Sequence, residues 1–212
     1  MSTPALSFEH RFVPATRPGQ PPLLLLHGTG GDETDLLDLG AALAPGSALL
    51  SPRGKVLERG MPRFFARLAE GMFDQAEVER RSLDLADFIA TARQAYGLAA
   101  PVAVGYSNGA NAAAAAMLLR PGCLAGAILF RPMKVLDRAP EHPPASAPVL
   151  VLSGQADPIV PASSLAALVA QLERSGAAVD HRVLATGHQL GQADLVAARA
   201  WLTTQFPPEH HN

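Results

Sequence analysis

Six short runs of mainly apolar residues recur along the chain, at 23–26, 48–50, 102–104, 127–130, 149–152 and 179–184. These are the expected strands. Between them apolar positions fall at helical spacing, as in Leu83, Ala86, Phe88, Ile89 and Ala92 of the stretch 83–96, and again over 108–119, 163–174 and 192–206. A spacing of three and four places such side chains on one helix face. Runs that are apolar throughout, rather than alternating, indicate strands covered on both faces, and the alternation of strand with helix implies crossover connections. The expected class is therefore α/β: a mostly parallel central sheet with helices on both faces.

The segment 138–148 (RAPEHPPASAP) has the composition of a linker, but only about 60 residues follow it, a marginal size for a separate domain. It is read as a surface loop entering the run 149–152, since proline is tolerated at the start of a strand. One domain over 1–212 is the simpler organisation. No repeat of fixed period appears, and Ala112 to Ala116 is an alanine-rich helix segment.

Hydrophobic residues make up 48% of the chain and charged residues 17%, which is far from a disordered composition. The net charge is -2 and no dense basic run exists to neutralise phosphates, so nucleic acid is not an expected partner. The single cysteine, Cys123, allows no intramolecular disulfide, which suits a reducing compartment. No stretch approaches the roughly 20 apolar residues of a membrane span, and the N-terminus lacks the cationic start and apolar run of a secretory signal. A cytoplasmic location with no membrane association is expected.

The pentapeptide Gly105-Tyr106-Ser107-Asn108-Gly109 lies between an expected strand and an expected helix. This is the G-x-S-x-G turn, on which a strained serine projects its hydroxyl outward while glycines relieve crowding on either side. The helix that follows directs its free N–H groups and positive dipole end at the serine, where negative charge develops during acyl transfer. From the glycine and serine content about 0.08 such pentapeptides arise by chance, and the strand-then-helix context lowers this further.

A serine hydroxyl needs an imidazole to take its proton and a carboxylate to hold that imidazole in one tautomer. In enzymes that carry this serine turn, the acid and then the histidine follow the serine in chain order, each after a strand. Asp157, in GQADPIVP, follows the run 149–152, and His188, in TGH, follows 179–184. The competitors are placed less well: His181 lies inside a strand, His142 in the proline-rich loop, and His10 and His27 precede the serine. Asp180 lies in a strand, and Asp194 opens the last helix, where an acid stabilises the dipole. Asp137 is the reserve acid. The run 23–26 ends in His27-Gly28-Thr29-Gly30-Gly31, a loop whose backbone approaches a substrate carbonyl closely. By analogy with the corresponding loop of enzymes that carry this serine turn, one oxyanion donor is expected to be the N–H of Thr29, with that of Asn108 as the other. A dinucleotide loop would need glycine at 33, where Glu33 stands.

The combination of HGTGG, GYSNG, GQADPIVP and TGH resembles the carboxylesterase and phospholipase family of small bacterial α/β hydrolases over nearly the whole chain. The stretches 32–37 (DETDLL) and 53–73 (RGKVLERGMPRFFARLAEGMF) are similar to the branch containing the hydroquinone-resistance hydrolases. The resemblance implies an α/β-hydrolase fold and esterase or thioesterase activity without a cofactor. Acyl-protein thioesterases, in the same wider group, commonly carry glutamine where this chain has Asn108; only the backbone donor is needed there. No large inserted lid is expected, so the site should accept small to medium acyl groups.

Met61, Phe64, Phe65, Met72 and Phe73 crowd the segment 60–74 in a chain only 5% aromatic. They are read either as a pocket wall or as a short helix with Phe64, Phe65 and Leu68 in the core. Pro132, Met133 and Leu190 are expected at the same sheet edge and are assigned to the wall as well. The rival from another class is a non-catalytic protein binding a small molecule on the same fold. A metal centre is disfavoured because no ligand pairs stand at the usual spacing. Oligomeric state is left open, a homodimer included.

Overall fold

The computed structural model describes residues 6–69, 71–138 and 146–207. In chain order the elements are β1 (His10–Val13), β2 (Leu23–Leu26), α1 (Leu37–Leu43), β3 (Leu49–Pro52), β4 (Val56–Glu58), β5 (Met61–Arg63), α2 (Gln75–Tyr96), β6 (Val102–Tyr106), α3 (Asn108–Leu119), β7 (Gly126–Phe130), β8 (Pro148–Gly154), α4 (Ala162–Arg174), β9 (Ala178–Leu184) and α5 (Gln192–Gln205). Seven strands form one sheet in the order β1-β3-β2-β6-β7-β8-β9, parallel throughout except for β1, which runs antiparallel to β3.

The four leucines of β2 explain how the layers form. Leu24 and Leu26 enter a core with Phe88, Ile89 and Ala113 from α2 and α3, while Leu23 and Leu25 enter a second core with Leu43, Trp201 and Leu202 from α1 and α5. Successive strand residues point to opposite faces, so an unbroken apolar run marks a strand with helices on both sides. This is the α/β-hydrolase fold, with no large lid insertion among the described residues. Fully burying one such leucine is worth ~1.5–3 kcal/mol, which makes the central strands the least replaceable part of the chain. The alanines of α3 from Ala112 to Ala116 are buried, and their small side chains let α3 lie close against the sheet and α2.

Two expectations are corrected at element level. The helix expected over 83–96 begins at Gln75, because the Asp74 side chain accepts from the N–H groups of Ala76 and Glu77 and opens the helix there; it ends at Gly97, in the left-handed region. The short helix weighed for 60–74 is not formed. The chain instead makes the β4–β5 hairpin, whose turn residues Arg59 and Gly60 both have positive φ, as tight hairpin turns require. Phe64 and Phe65 are nonetheless buried in the core, whereas Leu68 is 70% exposed. Of the proline-rich loop, residues 139–145 lie outside the described residues, His142 among them. Among the described residues no helix is long and apolar enough to cross a membrane.

Because β2, β6, β7, β8 and β9 are parallel, the loops leaving them emerge at one edge of the sheet, where α/β sheets carry their sites. Thr29, Ser107, Arg131, Asp157 and His188 all stand on those loops.

Candidate active site

Ser107 follows β6 directly, with φ 52° and ψ -114°, a conformation L-residues rarely hold. It is held there by its own N–H bond to the carbonyl of Phe130 (2.9 Å) and by the start of α3, where Asn111 N–H donates to the Ser107 carbonyl (3.0 Å). The flanking glycines are needed for close approach. A Cβ at Gly105 would stand 2.7 Å from the Cα of Ala110, and one at Gly109 would run into the Leu26 carbonyl of β2. The obstruction is thus the neighbouring backbone rather than the serine itself.

His188 Nε2 lies 3.2 Å from Ser107 Oγ, and His188 Nδ1 lies 2.9 Å from Asp157 Oδ2. The other Asp157 oxygen, Oδ1, accepts the N–H groups of Ile159 (2.8 Å) and Val160 (3.2 Å). Burial alone would raise the Asp157 carboxyl, but these N–H groups and the His188 ring hold it below its ordinary value, so it stays ionised. An ionised carboxylate accepts from Nδ1–H, which leaves Nε2 as the bare nitrogen facing the serine. Asp137, the reserve acid, is exposed and its N–H donates to Gln75 Oε1 (2.8 Å); it makes no bond to His188.

Sequence reasoning missed Arg131. It follows β7 with φ 54°, is 1% exposed, and forms a bidentate pair with Asp194 (2.7 and 2.8 Å). Its remaining donors reach the carbonyls of Gly187 (2.8 Å), Gln189 (3.2 Å) and Leu152 (3.2 Å) and the Thr186 hydroxyl (3.1 Å). The carbonyls on both sides of His188 are therefore bonded to one side chain. Asp194, read from sequence as a helix-end acid, is a buried partner of that arginine, and it also accepts from the Gly191 N–H (2.9 Å). The available signal was a charged residue placed directly after a wholly apolar strand.

The loop after β2 runs beside Ser107. Among the described residues the N–H groups of Thr29 and Asn108 have no protein acceptor. The Thr29 hydroxyl accepts from Arg63 Nη1 (2.5 Å), and Gly30 N–H donates to the Pro62 carbonyl (3.0 Å), so the β4–β5 hairpin braces the loop. His27 is buried; its Nδ1–H donates to the Gly28 carbonyl (2.7 Å) and its Nε2 accepts the Gly54 N–H (2.9 Å). Burial lowers its pKa from the ordinary value of 6.5.

A cavity of about 400 Å³ opens over Ser107, His188, Thr29 and Asn108, and its further walls include Arg63, Arg67, Phe73, Tyr106, Met133 and Ile159. Of the residues expected to form the wall, Phe73 and Met133 do so. Phe64 and Phe65 do not, because Phe64 packs on the His27 ring (4.9 Å between centroids) and Phe65 lies wholly in the core. Met61 and Met72 are on the outer surface, 38% and 60% exposed. Pro132 is buried outside the cavity lining, and Leu190 packs against the core on the α1 and α5 side. A larger cavity of about 690 Å³ between α4 and the strands β8 and β9 touches Asp157 but neither Ser107 nor His188. Cys123 is buried against α3 and its thiol is pushed up to about 11 by burial, which removes it as a competing nucleophile. Among the described residues no group of three His, Cys, Asp or Glu side chains is gathered as a metal site.

Comparison with known proteins places nearly the whole chain among hydrolases. A family model described as phospholipase/carboxylesterase matches residues 9–206. MhqD of Bacillus subtilis (strain 168), named as a hydrolase, is 45% identical over 182 residues, which cover 84% of this chain and 90% of that protein. The crystal structure of the Bacillus cereus carboxylesterase superposes with a TM-score of 0.89 at 38% identity, covering 94% of this chain and 95% of that one. A carboxylesterase from Mesorhizobium loti superposes with a TM-score of 0.88 at 36% identity, covering 93% and 95%.

Proposed function

The chain belongs to the phospholipase/carboxylesterase family and is a hydrolase-type enzyme, and from that premise we propose that it is a serine hydrolase cleaving small to medium carboxylic esters or thioesters through an acyl-enzyme. The observation that carries this reading is the continuous Ser107–His188–Asp157 chain of contacts at 3.2 and 2.9 Å.

Ser107 Oγ attacks the substrate carbonyl while His188 Nε2 takes its proton, and Asp157 holds the resulting imidazolium in place. The N–H groups of Thr29 and Asn108 receive the oxyanion, whose charge also meets the positive end of α3. His188 then returns the proton to the departing oxygen or sulfur, leaving the acyl group on Ser107. Water enters, gives a proton to His188, and attacks the acyl carbonyl. Collapse of this second intermediate frees the acid and restores the serine hydroxyl.

The test is a fluorophosphonate probe followed by mapping of the adduct, together with p-nitrophenyl ester turnover. The adduct should lie on Ser107, and Ser107→Ala should keep its fold while losing turnover by about three orders of magnitude or more. Turnover largely retained by Ser107→Ala, or an adduct elsewhere, would overturn the mechanism.

A further inference from the structure

One wall of the cavity over Ser107 comes from the β4–β5 hairpin and the chain that leaves it, and it carries two arginines, Arg63 and Arg67. A guanidinium has five N–H donors and no acceptor. Arg63 is 4% exposed; its Nε donates to the Phe65 carbonyl (3.1 Å) and lies 3.3 Å from Glu58 Oε2, and its Nη1 donates to Thr29 Oγ1. Its Nη2 has no acceptor among the described residues. Arg67 meets Glu58 Oε1 through Nε (2.9 Å), and its two terminal nitrogens likewise have no acceptor there.

The charge count is equally one-sided. Glu58 is the carboxylate these two cations share, and no Asp or Glu among the described residues lines the cavity. Burial alone would raise Glu58, but the hydrogen bond from Arg67 and the charge of Arg63 hold it below its ordinary value, so it is ionised. Burial lowers Arg63, with Glu58 acting against that, and a guanidinium keeps its proton. Among the described residues, two positive charges and one negative leave one positive charge at the cavity wall.

We infer that Arg63 and Arg67 form a subsite for a carboxylate carried by the substrate, so that the ester or thioester cleaved here is that of a small acid or alcohol bearing a second, free carboxylate. The inference rests on the hydrolase reading of the same cavity and narrows its substrate class. A planar carboxylate matches the fork of a guanidinium, and its single charge balances the single excess charge of the wall. A phosphate monoester, with nearly two charges, would overbalance it. The cavity volume of about 400 Å³ limits the whole ligand to a small molecule.

Two ester pairs test this, each differing only in carboxylate against carboxamide: mono-p-nitrophenyl adipate with p-nitrophenyl 5-carbamoylpentanoate, and 3-carboxyphenyl butyrate with 3-carbamoylphenyl butyrate. The first places the charge on the acyl side and the second on the leaving group. The carboxylate member of at least one pair should be favoured in kcat/KM by about tenfold or more. Arg67→Gln should reduce that ratio at least about fivefold, and Arg67→Lys should restore part of it. Arg67 is chosen because Arg63 is buried and its loss risks the fold. Calorimetry with adipate supplies a readout independent of turnover, and Arg67→Gln should weaken that binding as well. Ratios near one in both pairs, or ratios and adipate binding unmoved by Arg67→Gln, overturn the subsite while ester cleavage leaves the hydrolase reading standing. Adipate binding that depends on Arg67, without cleavage of any ester, upholds the subsite and defeats the hydrolase reading instead. Inorganic phosphate bound more tightly than adipate would overturn the carboxylate assignment.

Discussion

Arg131 and Arg63 are both almost wholly buried, and each touches the proposed machinery: Arg131 the carbonyls beside His188, Arg63 the hydroxyl of Thr29. Their surroundings differ. Every nitrogen of the Arg131 guanidinium has protein acceptors, and its charge is matched one to one by Asp194. Arg63 shares a single carboxylate with Arg67, lines the cavity, and has one nitrogen, Nη2, without an acceptor among the described residues. A buried cation that satisfies all its donors internally fixes geometry, because moving it would break several bonds at once. One with donors in reserve beside a cavity is placed to receive something. The difference separates the scaffold of the site from its receptor surface, although both are the same residue type.

The largest expected effect follows from removing the matched cation. Arg131→Met leaves the Asp194 carboxylate, with 2% of its side chain exposed, without its counter-charge, and should destabilise the protein by about 3–5 kcal/mol in urea unfolding. Replacing both partners, Arg131→Met with Asp194→Leu, should recover much of that loss. A single-variant cost below about 1 kcal/mol would break the contrast from the Arg131 side. Next in size is Arg131→Lys, which keeps the charge but offers three donors from a point rather than a fork. It cannot hold Asp194 and the carbonyls of Gly187 and Gln189 together, so His188 should lose its alignment to Ser107. The expected result is a fall of about 10–100-fold in kcat with KM little changed, read on a p-nitrophenyl ester.

How much of this was legible beforehand divides along the same line. Strands covered on both faces were readable because burial writes continuous apolar runs, and α3 could be bounded at Asn108 and Leu119 from the motif before it and its alanine core. The strand β1 could not, since its residues alternate between half-buried and exposed at the sheet edge. The β4–β5 hairpin escaped because three-residue strands carry too little pattern to distinguish from a helix turn. Ser107, Asp157 and His188, whose side chains the fold brings into contact, were singled out through local motifs at fixed places after strands. Arg131 and Asp194 are 63 residues apart in sequence and make their pair only through the fold, and nothing in either local context announces the other. The aromatic crowding of 60–74 pointed to the right segment, but its phenylalanines serve the core and its arginines face the cavity.

A smaller effect tests the brace on the receptor side. His27 is neutral in the fold because burial lowers its pKa below 6.5, while in the unfolded chain it titrates at its ordinary value. The unfolded state therefore binds the extra proton first, and the contribution of neutral His27 to stability is full above pH 6.5. It declines as pH falls from there towards the folded-state pKa, by up to about 1.4 kcal/mol per pH unit. Protonation would also turn Nε2 from an acceptor into a donor facing the Gly54 N–H. Urea unfolding at pH 7.5 and 5.5 should show a loss on acidification that is reduced in His27→Gln, and equal losses in both proteins would count against the assignment.

The smallest effect is the most discriminating for the wall itself. The Arg67–Glu58 pair is 33% and 19% exposed at its side chains, so solvent screens it, and Glu58 retains Arg63 at 3.3 Å when Arg67 is replaced. Pairs of this kind contribute about 0–1 kcal/mol, and Arg67→Gln should therefore change unfolding stability by less than about 1 kcal/mol. Set against the loss expected for Arg131→Met, that near-neutrality is what a residue facing a ligand rather than holding the fold should give. A loss above about 2 kcal/mol would put Arg67 with Arg131 among the residues that hold the structure, and the division between scaffold and receptor arginines would no longer stand.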